Sequence, residues 1–561
     1  MHWHCFAITL LALSLVSGCA QTGRRSPADL IVTNAKVWTA DADRAAVTAF
    51  VVRDGRFVYV GDDDGVRRYE GSATRVVDAG GARVVPGMID SHLHLISGGL
   101  NLDRLNLRNV PDRQAFIAAI AARAEALQPG EWILGGRWST ESWPDATQPT
   151  KEWVDSVTLR NPILLDRMDG HGALANAVAL KIAGIDRDGP PDPPGGRIMR
   201  NPETNEPTGI LKESAIELVE RHVPESSSAE KMRALKAAMR EANRYGVTTV
   251  HTMSPWSDVA TLDAARASGE LTLRVRPFII EDDWREYIDR AKGYRADDWL
   301  RVVGFKQFMD GSLGSRTAYM AEPFADNPPH NPDNRGLLGE VMANEGRLQA
   351  MCNASDTAGF SPALHCIGDQ ANHMVLDIYA ATQAANGPRG DRLMRIEHAQ
   401  HLLPSDIPRF AALGVIASMQ PLHKADDGRY AEKAIGAERC RTSYAFRSLL
   451  DLGALVAFGS DWPVVSLNPF LGIHAAVTGK TFDGKVFVPE QSITVEEALR
   501  CYAVGGARAA GDGAVLGQIK VGFLADFVIL DRDVLSAPHG ELKNTTVQAT
   551  YVNGRCVWAA E

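Results

Sequence analysis

The sequence lacks the cysteine pattern of a disulfide-stabilised or zinc-ribbon protein. Its seven cysteines include no CxxC pair, and they stand at positions 5, 19, 352, 366, 440, 501 and 556. Without the two at the apolar N-terminus five remain, an odd number that does not suit a disulfide framework. We therefore expect no disulfide framework, even in an oxidising compartment.

Positive charge and long apolar runs are also scarce. With 59 Lys and Arg against 69 Asp and Glu, the net charge of −10 offers no basic surface for nucleic acid. Beyond the N-terminal leader, no segment is apolar enough to span a membrane. The stretches GGARVVPG and AVGGARAAG lack the strand–GxGxxG–helix context of a nucleotide site.

The leader CFAITLLALSLVSGC has the length of a signal peptide and is short for a membrane span. Its end, VSGC, resembles the lipobox of bacterial lipoproteins. That resemblance implies a signal peptide over residues 1–18, a lipidated Cys19 and a linker over 19–28. It also implies an exported protein of the cell envelope, held on the periplasmic side of the outer membrane by lipid alone, or in the periplasm. Because MHWH contains no Lys or Arg, an uncleaved or cytoplasmic start is the alternative.

Strand-like runs separated by Asp-Gly, Gly-Gly and Asn-Gly turns occur at both ends of the chain. They include ADLIVTNAKVWTAD and RVVDAGGARVVPG near the start, and LGQIKVGFLADFVILDRDV and TTVQATYVNGRCVWAA near the end. We expect residues 29–85 and 511–561 to form one small β-sandwich domain built from both termini.

The middle of the chain alternates strand-like and helix-like segments. Apolar strand-like runs begin at residues 247, 301, 361, 394, 414 and 454, with helical stretches such as SAEKMRALKAAMREANRYG between them. This alternation predicts an α/β fold, a (β/α)8 TIM-like barrel over residues 86–510. The segment from about 96 to 240 exceeds one βα unit and contains a Pro/Gly-rich loop, so we interpret it as an insertion over the barrel mouth.

The motif PGMIDSHLHL, residues 86–95, places Asp90, His92 and His94 on one face of a strand. Alternate side chains of a strand share a face. Two imidazoles at this spacing can bind one metal ion. A pair of hydrogen-bonded core histidines is the alternative.

Three further residues stand at the ends of strand-like runs, where a barrel presents catalytic groups. They are His365 in ALHCIGD, His398 in RIEHAQ and Asp461 in VAFGSDWP. Each histidine can be a metal ligand or a structural group, and His251 in VTTVHTM has a similar position. Asp461 suits metal binding and proton transfer, or a helix N-cap.

Lys306 lies in GFKQFMD, in a strand that we expect to be buried. A buried ammonium group must lose its proton, find an acidic partner or face an anion. Schiff-base chemistry is one use of a neutral amine. Reaction with carbon dioxide is another, and it gives a carbamate whose two oxygens can bridge two metal ions.

Together these motifs resemble the amidohydrolase superfamily, and more narrowly amidohydrolase family 3, which includes N-substituted formamide deformylases. The resemblance covers residues from about 29 to 561 and includes VVPGMIDSHLHL, DGHGALANAVAL, FKQFMDGSLGSRTA, HCIGDQAN, RIEHAQ, FGSDWPV and LGQIKVGFLADFVILDRD. It implies one or two divalent metal ions, with Zn²⁺ as the first choice. His92 and His94 would bind the first ion, His365 and His398 the second, and a carbamate on Lys306 would bridge them.

The resemblance also implies a mechanism. Zn²⁺ lowers the pKa of bound water to about 7. Asp461 would ligate the first ion, take the proton of this water and return it to the leaving nitrogen. His171 in RMDGHGALAN and Arg316 in GSLGSR are implied as substrate contacts, with a structural salt bridge as the alternative for Arg316. Asp90 would be a structural group behind the ligands.

We therefore expect a metal-activated hydroxide to cleave a non-peptide C–N bond, in an amide or N-acyl amine. One alternative is a deaminase of a cyclic amine in the same superfamily, against which Lys306 argues. Another is a non-catalytic surface binding lipoprotein. The expected partner is a small-molecule amide, nucleic acid is not expected, and a homodimer is compatible with the sequence.

Overall fold

The structure, a computed structural model, describes residues 27–41, 47–141, 143–329, 331–339 and 346–561. The predicted signal peptide, the predicted lipidation site Cys19 and most of the linker predicted for 19–28 lie outside these residues. In the ranges described, no helix has both the length and the apolar character that crossing a membrane requires.

Eight parallel strands form the central sheet, each hydrogen-bonded to the next along the chain. They are β1 (Met88–Leu93), β2 (Val247–Ser254), β3 (Arg274–Ile279), β4 (Gly304–Phe308), β5 (Ser361–Cys366), β6 (Arg395–His398), β7 (Ile416–Met419) and β8 (Val456–Phe458). Backbone hydrogen bonds join the first strand to the segment after the last. Asp461 N donates to His92 O at 2.6 Å, and His94 N donates to Trp462 O at 2.8 Å. The sheet has the TIM-barrel arrangement that the sequence predicts.

Strand β3 is missing from the strand-like runs that the sequence picks out, because two arginines interrupt its apolar pattern. Both are buried and paired: Arg274 Nε lies 2.6 Å from Asp526 Oδ2, and Arg276 Nε lies 2.7 Å from Asp512 Oδ2. A buried charge is tolerated when it is paired and hydrogen-bonded. These ion pairs attach the barrel to the C-terminal segment of the chain.

Helices alternate with the barrel strands along the chain. The longer ones are Ser228–Arg244, which begins with a capping box between Ser227 and Glu230, and Asp369–Asn386. Apart from the helices that accompany the inserted sheet, the other α-helices that the structure describes from β1 onwards are Leu95–Asn101, Trp256–Ala267, Trp284–Lys292, Arg347–Thr357, Ile407–Leu413, Pro421–Asp427, Ala431–Ile435, Ala437–Cys440, Phe446–Asp451, Pro469–Thr478, Val495–Arg500 and Gly506–Ala509.

The segment between β1 and β2 contains a sheet of its own. Its six strands lie in the order Gly196–Arg200, Pro207–Glu213, Gly172–Ala175, Ile163–Arg167, Ile133–Trp138 and Leu105–Asn106. Helices Arg113–Glu125, Lys151–Asp155, Ala177–Ile182 and Glu217–Glu220 accompany it. Two apolar clusters pack within this segment, one of them containing Trp138, Trp143 and Trp153. Trp138 and Trp143 are therefore core residues.

Two smaller sheets come from the ends of the chain. One has the order Arg56–Gly61, Ala49–Arg53, Leu30–Thr33 and Arg75–Asp78, and helix Asp63–Val66 follows its edge strand. The other combines both termini, in the order Lys36–Val37, Arg83–Pro86, Phe527–Leu530, Val547–Val552 and Arg555–Ala559. One apolar cluster contains residues of both sheets. A separate β-sandwich and the domain boundaries at 85, 86, 510 and 511 stay predictions.

Candidate metal centre

A cavity of about 720 Å³ lies where the carboxyl ends of the barrel strands meet the inserted segment. His92, Lys306 and Asp461 line it from the barrel side, and His171 and Glu213 line it from the insertion. This is the end of a TIM barrel at which catalytic groups are presented. Residues of the insertion line the cavity, and the expectation that the insertion covers the barrel mouth stays a prediction.

His92, His398 and Asp461 form a compact cluster in the cavity. Each contributes one ligand-type atom, and these atoms lie within 4.8 Å of one another. His92 Nε2 lies 3.4 Å from Asp461 Oδ1, and His94 Nε2 lies 3.3 Å from the same oxygen. The HxH pair of β1 and the aspartate after β8 thus face each other, although they lie 367 or more positions apart in the sequence.

The cluster fits a divalent metal ion. Asp461 Oδ1 is buried and has no hydrogen-bond partner, although two imidazoles face it. A buried carboxylate oxygen is costly unless a partner compensates it. Imidazole nitrogens and a carboxylate oxygen are ligands that zinc accepts. Burial opposes ionisation of Asp461, but the neighbouring His92 and His94 hold the pKa of its carboxyl well below the usual range.

Groups behind the cluster fix the histidine rings. Glu397 Oε2 lies 2.6 Å from His92 Nδ1, and Gln420 Oε1 lies 2.8 Å from His398 Nδ1. Each oxygen can accept a hydrogen bond from the ring, which leaves the lone pair of Nε2 for a metal ion. Such outer partners orient metal-binding histidines.

Sequence reasoning misses Glu397. It stands next to His398, and neighbours in a regular strand point to opposite faces. His398 has a left-handed backbone (φ 78°), so the strand turns at this point. Glu397 is fully buried and also pairs with Arg395, whose Nε lies 2.5 Å from Oε1. Despite burial, Arg395 and His92 hold the pKa of Glu397 well below its usual range.

Lys306 is buried on β4, and its Nζ lies 3.8 Å from the centroid of the Phe308 ring. Within the described ranges no carboxylate forms an ion pair with it. Burial lowers the pKa of Lys306 to about 8, although Glu397 and Asp461 act in the opposite direction. The amine therefore loses its proton more readily than that of an exposed lysine.

His365 lies beside the cluster rather than within it. Its ring centroid is 4.5 Å from that of His398, but its Nε2 lies 3.0 Å from the carbonyl oxygen of Gly311. His398, which the resemblance assigns to a second ion with His365, instead groups with His92 and Asp461. A second metal ion stays a prediction.

His171 faces the cavity from the insertion. Its Nδ1 lies 2.8 Å from Glu213 Oε2, and its ring centroid lies 4.9 Å from that of His365. Burial alone would lower the pKa of His171, but Glu213, Asp169 and Asp310 raise it to about 9. The ring is therefore a cation at neutral pH, and its role as a substrate contact stays a prediction.

Arg316 is held in an ion pair with Asp326, with Nη2 at 2.6 Å from Oδ2 and Nε at 3.0 Å from Oδ1. Its Nη1 donates to Leu313 O at 2.8 Å. Arg316 is not among the described residues that line the cavity. This geometry matches the structural salt bridge that the sequence allows as the alternative.

Asp90 accepts hydrogen bonds from the backbone of His92 at 3.2 Å and of Ser460 at 3.0 Å. It thus ties β1 to the segment that carries Asp461. Burial raises the pKa of its carboxyl to about 7. This position agrees with a structural role behind the ligands.

His423 is a second residue that sequence reasoning misses, since it lies on a helix rather than at a strand end. Its Nε2 is 3.9 Å from Asp461 Oδ2, and Gln400 Nε2 lies 3.2 Å from its Nδ1. Burial lowers the pKa of His423 to about 4. By contrast, His251 accepts from Arg395 at 3.0 Å and does not line the cavity.

The chain is similar to known proteins over most of its length. A family model described as "Amidohydrolase family" matches residues 75–558. Protein LONG AFTER FAR-RED 3 of Arabidopsis thaliana is 40% identical over 545 residues, 94% of this chain and 91% of that protein. N-substituted formamide deformylase of Arthrobacter pascens is 27% identical over 537 residues, 94% of this chain and 97% of that enzyme. The crystal structure of an uncharacterized metal-dependent hydrolase from Pyrococcus horikoshii OT3 is similar with a TM-score of 0.71 and 26% identity, covering 91% of this chain and 99% of that one.

Proposed function

The chain belongs to the amidohydrolase family of hydrolases, and on that premise we propose that it cleaves a non-peptide C–N bond of a small amide or N-acyl amine. The observation that carries the proposal is the buried Oδ1 of Asp461, which has no hydrogen bond of good geometry although two histidine Nε2 atoms approach it within 3.4 Å. An oxygen in this state is expected in a site built for a cation.

His92, His94, His398 and Asp461 are the residues that we propose hold a divalent ion, with Zn²⁺ as the first choice. Such an ion supplies a water of lowered pKa and polarises a carbonyl oxygen. The hydrogen-bond partners of two histidine rings support this assignment. Glu397 and Gln420 contact the Nδ1 atoms of His92 and His398, which leaves each Nε2 atom free to coordinate.

Asp461 is proposed as the general base. Its Oδ2 faces the cavity near His423, while its Oδ1 faces the imidazoles of β1. The low pKa of the carboxyl keeps it ionised and able to accept a proton from the attacking water. Passing that proton to the amide nitrogen completes the cleavage, because an amine leaves only after it is protonated.

We further propose that Lys306 is carbamylated and contributes an oxygen ligand. The support is a buried amine that has a pKa lowered to about 8, has no ion-pair partner in the described ranges and lines the same cavity as the cluster. A neutral amine adds carbon dioxide and loses one proton to solvent, and the resulting carbamate anion needs a cation to compensate its charge when buried. His365 would join a second ion if the carbamate bridges two.

The proposed substrate class is small N-acyl amines, including N-substituted formamides. N-substituted formamide deformylase is similar to this chain over nearly the whole of both proteins. The cavity of about 720 Å³ has the size of small-molecule sites. His171, a cation at neutral pH, would suit a substrate with a carboxylate, which makes N-acyl amino acids the second group to test.

Chelation and reconstitution test the proposal. The protein is treated with 1,10-phenanthroline, dialysed and reloaded with Zn²⁺ or Mn²⁺ in bicarbonate. Formanilides and N-acyl amino acids are then assayed for carboxylate and amine release, and aryl esters for carboxylate and phenol release. We expect activity to disappear and return with the metal. Full activity in metal-free protein would rule out the proposal. Ammonia release from a cyclic amine assayed alongside, with no carboxylate product from the amides, would favour a deaminase.

Export remains a proposal of its own, supported by the lipobox-like VSGC sequence alone. We propose that Cys19 is lipidated and attaches the protein to the cell envelope. Labelling with a palmitate analogue should mark the full-length protein but not a Cys19→Ser variant. Equal labelling of both would contradict this.

A further inference from the structure

His423 is a buried imidazole in the cavity that the metal cluster does not use. Its exposed fraction is 7%, and its Nε2 is buried with no hydrogen-bond partner. It belongs to helix Pro421–Asp427, which begins two residues after β7 ends at Met419. The ring therefore lies over the carboxyl end of the barrel, among the residues that line the cavity.

One short stretch of chain positions His423 together with a member of the metal cluster. Gln420, which precedes the helix, accepts from His398 Nδ1 at 2.8 Å. Pro421 is the first helical residue, where its fixed φ favours helix initiation. The rings of His398 and His423 are nearly parallel, with an angle of 6° and centroids 6.2 Å apart. The distance between the His423 ring and the metal cluster is thus fixed by the short segment from Gln420 to His423.

Gln400 determines which nitrogen of His423 carries the proton. Its Nε2 lies 3.2 Å from His423 Nδ1. The amide donates this hydrogen bond, so Nδ1 is the acceptor and the neutral ring holds its proton on Nε2. Gln400 is itself 3% exposed and lines the cavity. His423 therefore presents an N–H donor to the cavity with no acceptor among the described residues.

The distance to Asp461 shows where an acceptor would lie. His423 Nε2 is 3.9 Å from Asp461 Oδ2, too far for a direct hydrogen bond. An oxygen that accepts from Nε2 and gains negative charge is repelled by this carboxylate, so it must lie on the open-cavity side of the donor rather than between the two groups. The scissile nitrogen, bonded to the same carbonyl carbon, can then face the carboxylate that we propose moves the proton.

We propose that His423 donates a hydrogen bond from Nε2 to the carbonyl oxygen of the substrate and stabilises the negative charge which that oxygen gains during attack. The inference rests on the proposed acyl transfer to water. His423 forms no covalent bond and transfers no proton in this role, so the balance of the reaction is unchanged. Loss of one such donor typically lowers kcat by about 10²–10³.

Two variants distinguish the loss of the His423 hydrogen-bond donor from a change in the shape of the side chain. His423→Phe keeps a ring but removes the donor, and His423→Gln places an amide N–H near the position of Nε2. Zinc-loaded proteins are assayed with 4-nitroformanilide, 4-nitroacetanilide and 4-nitrophenyl acetate. We expect His423→Phe to lose about 100-fold or more in kcat with little change in KM. We expect His423→Gln to stay within about tenfold of the wild type. His539→Phe, at an exposed position, is the control.

A second readout does not depend on turnover. Calorimetric titration with N-phenyl methylphosphonamidate, a tetrahedral analogue of acetanilide, should show weaker binding to His423→Phe in proportion to its loss of kcat/KM. Zinc content measured by mass spectrometry should equal that of the wild type. Equal losses in both variants, unchanged kcat/KM in His423→Phe, or loss of zinc would each overturn the inference. If the zinc-loaded wild type hydrolyses none of the three substrates, the proposed function fails first and the inference fails with it.

Discussion

Glu397 Oε2 lies 2.6 Å from His92 Nδ1, and both side chains are buried at the centre of the barrel. The pair joins a carboxylate of β6 to a proposed metal ligand of β1, across 305 positions of the chain. The carboxylate keeps its charge because Arg395 also binds it. His92 is thereby held in one tautomer with its Nε2 facing Asp461.

Glu397→Gln should weaken metal binding about 10–100-fold, because outer partners of ligating histidines have effects of this size. The amide keeps the shape of the side chain but removes the charge that faces His92. Zinc affinity is measured by competition with a fluorescent chelator. Glu438→Gln, at an exposed side chain, is the matched control. Unchanged zinc affinity in a folded Glu397→Gln protein would contradict the role assigned to this carboxylate.

Asp461→Asn should lower kcat by about 10²–10⁴, the usual contribution of a general base. The amide oxygen can still face the imidazoles, but it cannot accept the proton of the attacking water. Rates are measured with 4-nitroformanilide at saturating zinc, alongside metal content. Asp289→Asn changes an exposed carboxylate and should have no effect. A rate within a factor of ten of the wild type would rule out Asp461 as the base.

Lys306→Ala should lose at least about 100-fold in turnover, more than an outer partner would contribute. Short carboxylates such as acetate should restore part of the rate, because they can replace the missing carbamate oxygens.

Carbamylation itself can be observed with ¹³C-bicarbonate. A carbamate signal is expected in NMR spectra of the wild type and of Lys424→Met, and not of Lys306→Ala. Lys424 is a suitable comparison because burial lowers its pKa to about 8 as well, while its Nζ donates to Val488 O at 3.1 Å. A normal rate in Lys306→Ala, or the same signal in that variant, would show that the carbamate assignment is wrong.

Gly459→Ala should separate β8 from β1 and disturb the cluster. A Cβ atom at this position would lie 2.5 Å from the backbone nitrogen of His92 and 2.7 Å from Asp90 Oδ1. Overpacking of this kind typically costs about 1–3 kcal/mol. Urea unfolding measures the change, and Gly390→Ala is the control because no atom lies within 4 Å of its added Cβ. Equal stability of the two variants would argue against close contact between β1 and β8.

Asp526→Asn should destabilise the protein by about 3–5 kcal/mol, because it leaves the buried Arg274 without its charged partner. Replacing both residues, as Arg274→Met with Asp526→Leu, should cost less than the single change. A double-mutant cycle in urea measures the coupling free energy. If the single and double variants are equally stable, the ion pair does not hold β3 to the C-terminal segment.

Much of the barrel could be predicted because each motif ends a short apolar run. The strands that carry Lys306, His365 and His398 all lie inside the runs identified in the sequence, and β3 is missed because its arginines find partners only in the folded chain. The partner of Arg316, which the sequence resemblance suggests as a substrate contact, is likewise identified only in the folded chain. That partner, Asp326, lies ten residues away, and sequence spacing cannot tell a salt bridge from a ligand contact.

The backbone conformation of two residues at the site could not be predicted from the sequence either. His398 and Asp461 both have positive φ angles, 78° and 57°, which a residue with a Cβ adopts at a cost of about 1–2 kcal/mol. The surrounding structure must supply this free energy. Nothing in RIEHAQ or FGSDWP indicates it, because neither residue is glycine.

The sequence by itself determined the alternation of strands and helices and the types of residue at the ends of the strands. Both are local properties, fixed by the period of the apolar pattern and by the chemistry of His, Asp and Lys side chains. Only the tertiary structure decided which of them meet. Closure of the barrel brings Glu397 to His92 and His423 to Asp461. It also places His398 beside His92 and Asp461. Those contacts join distant segments, so they depend on strand register and closure rather than on any short motif.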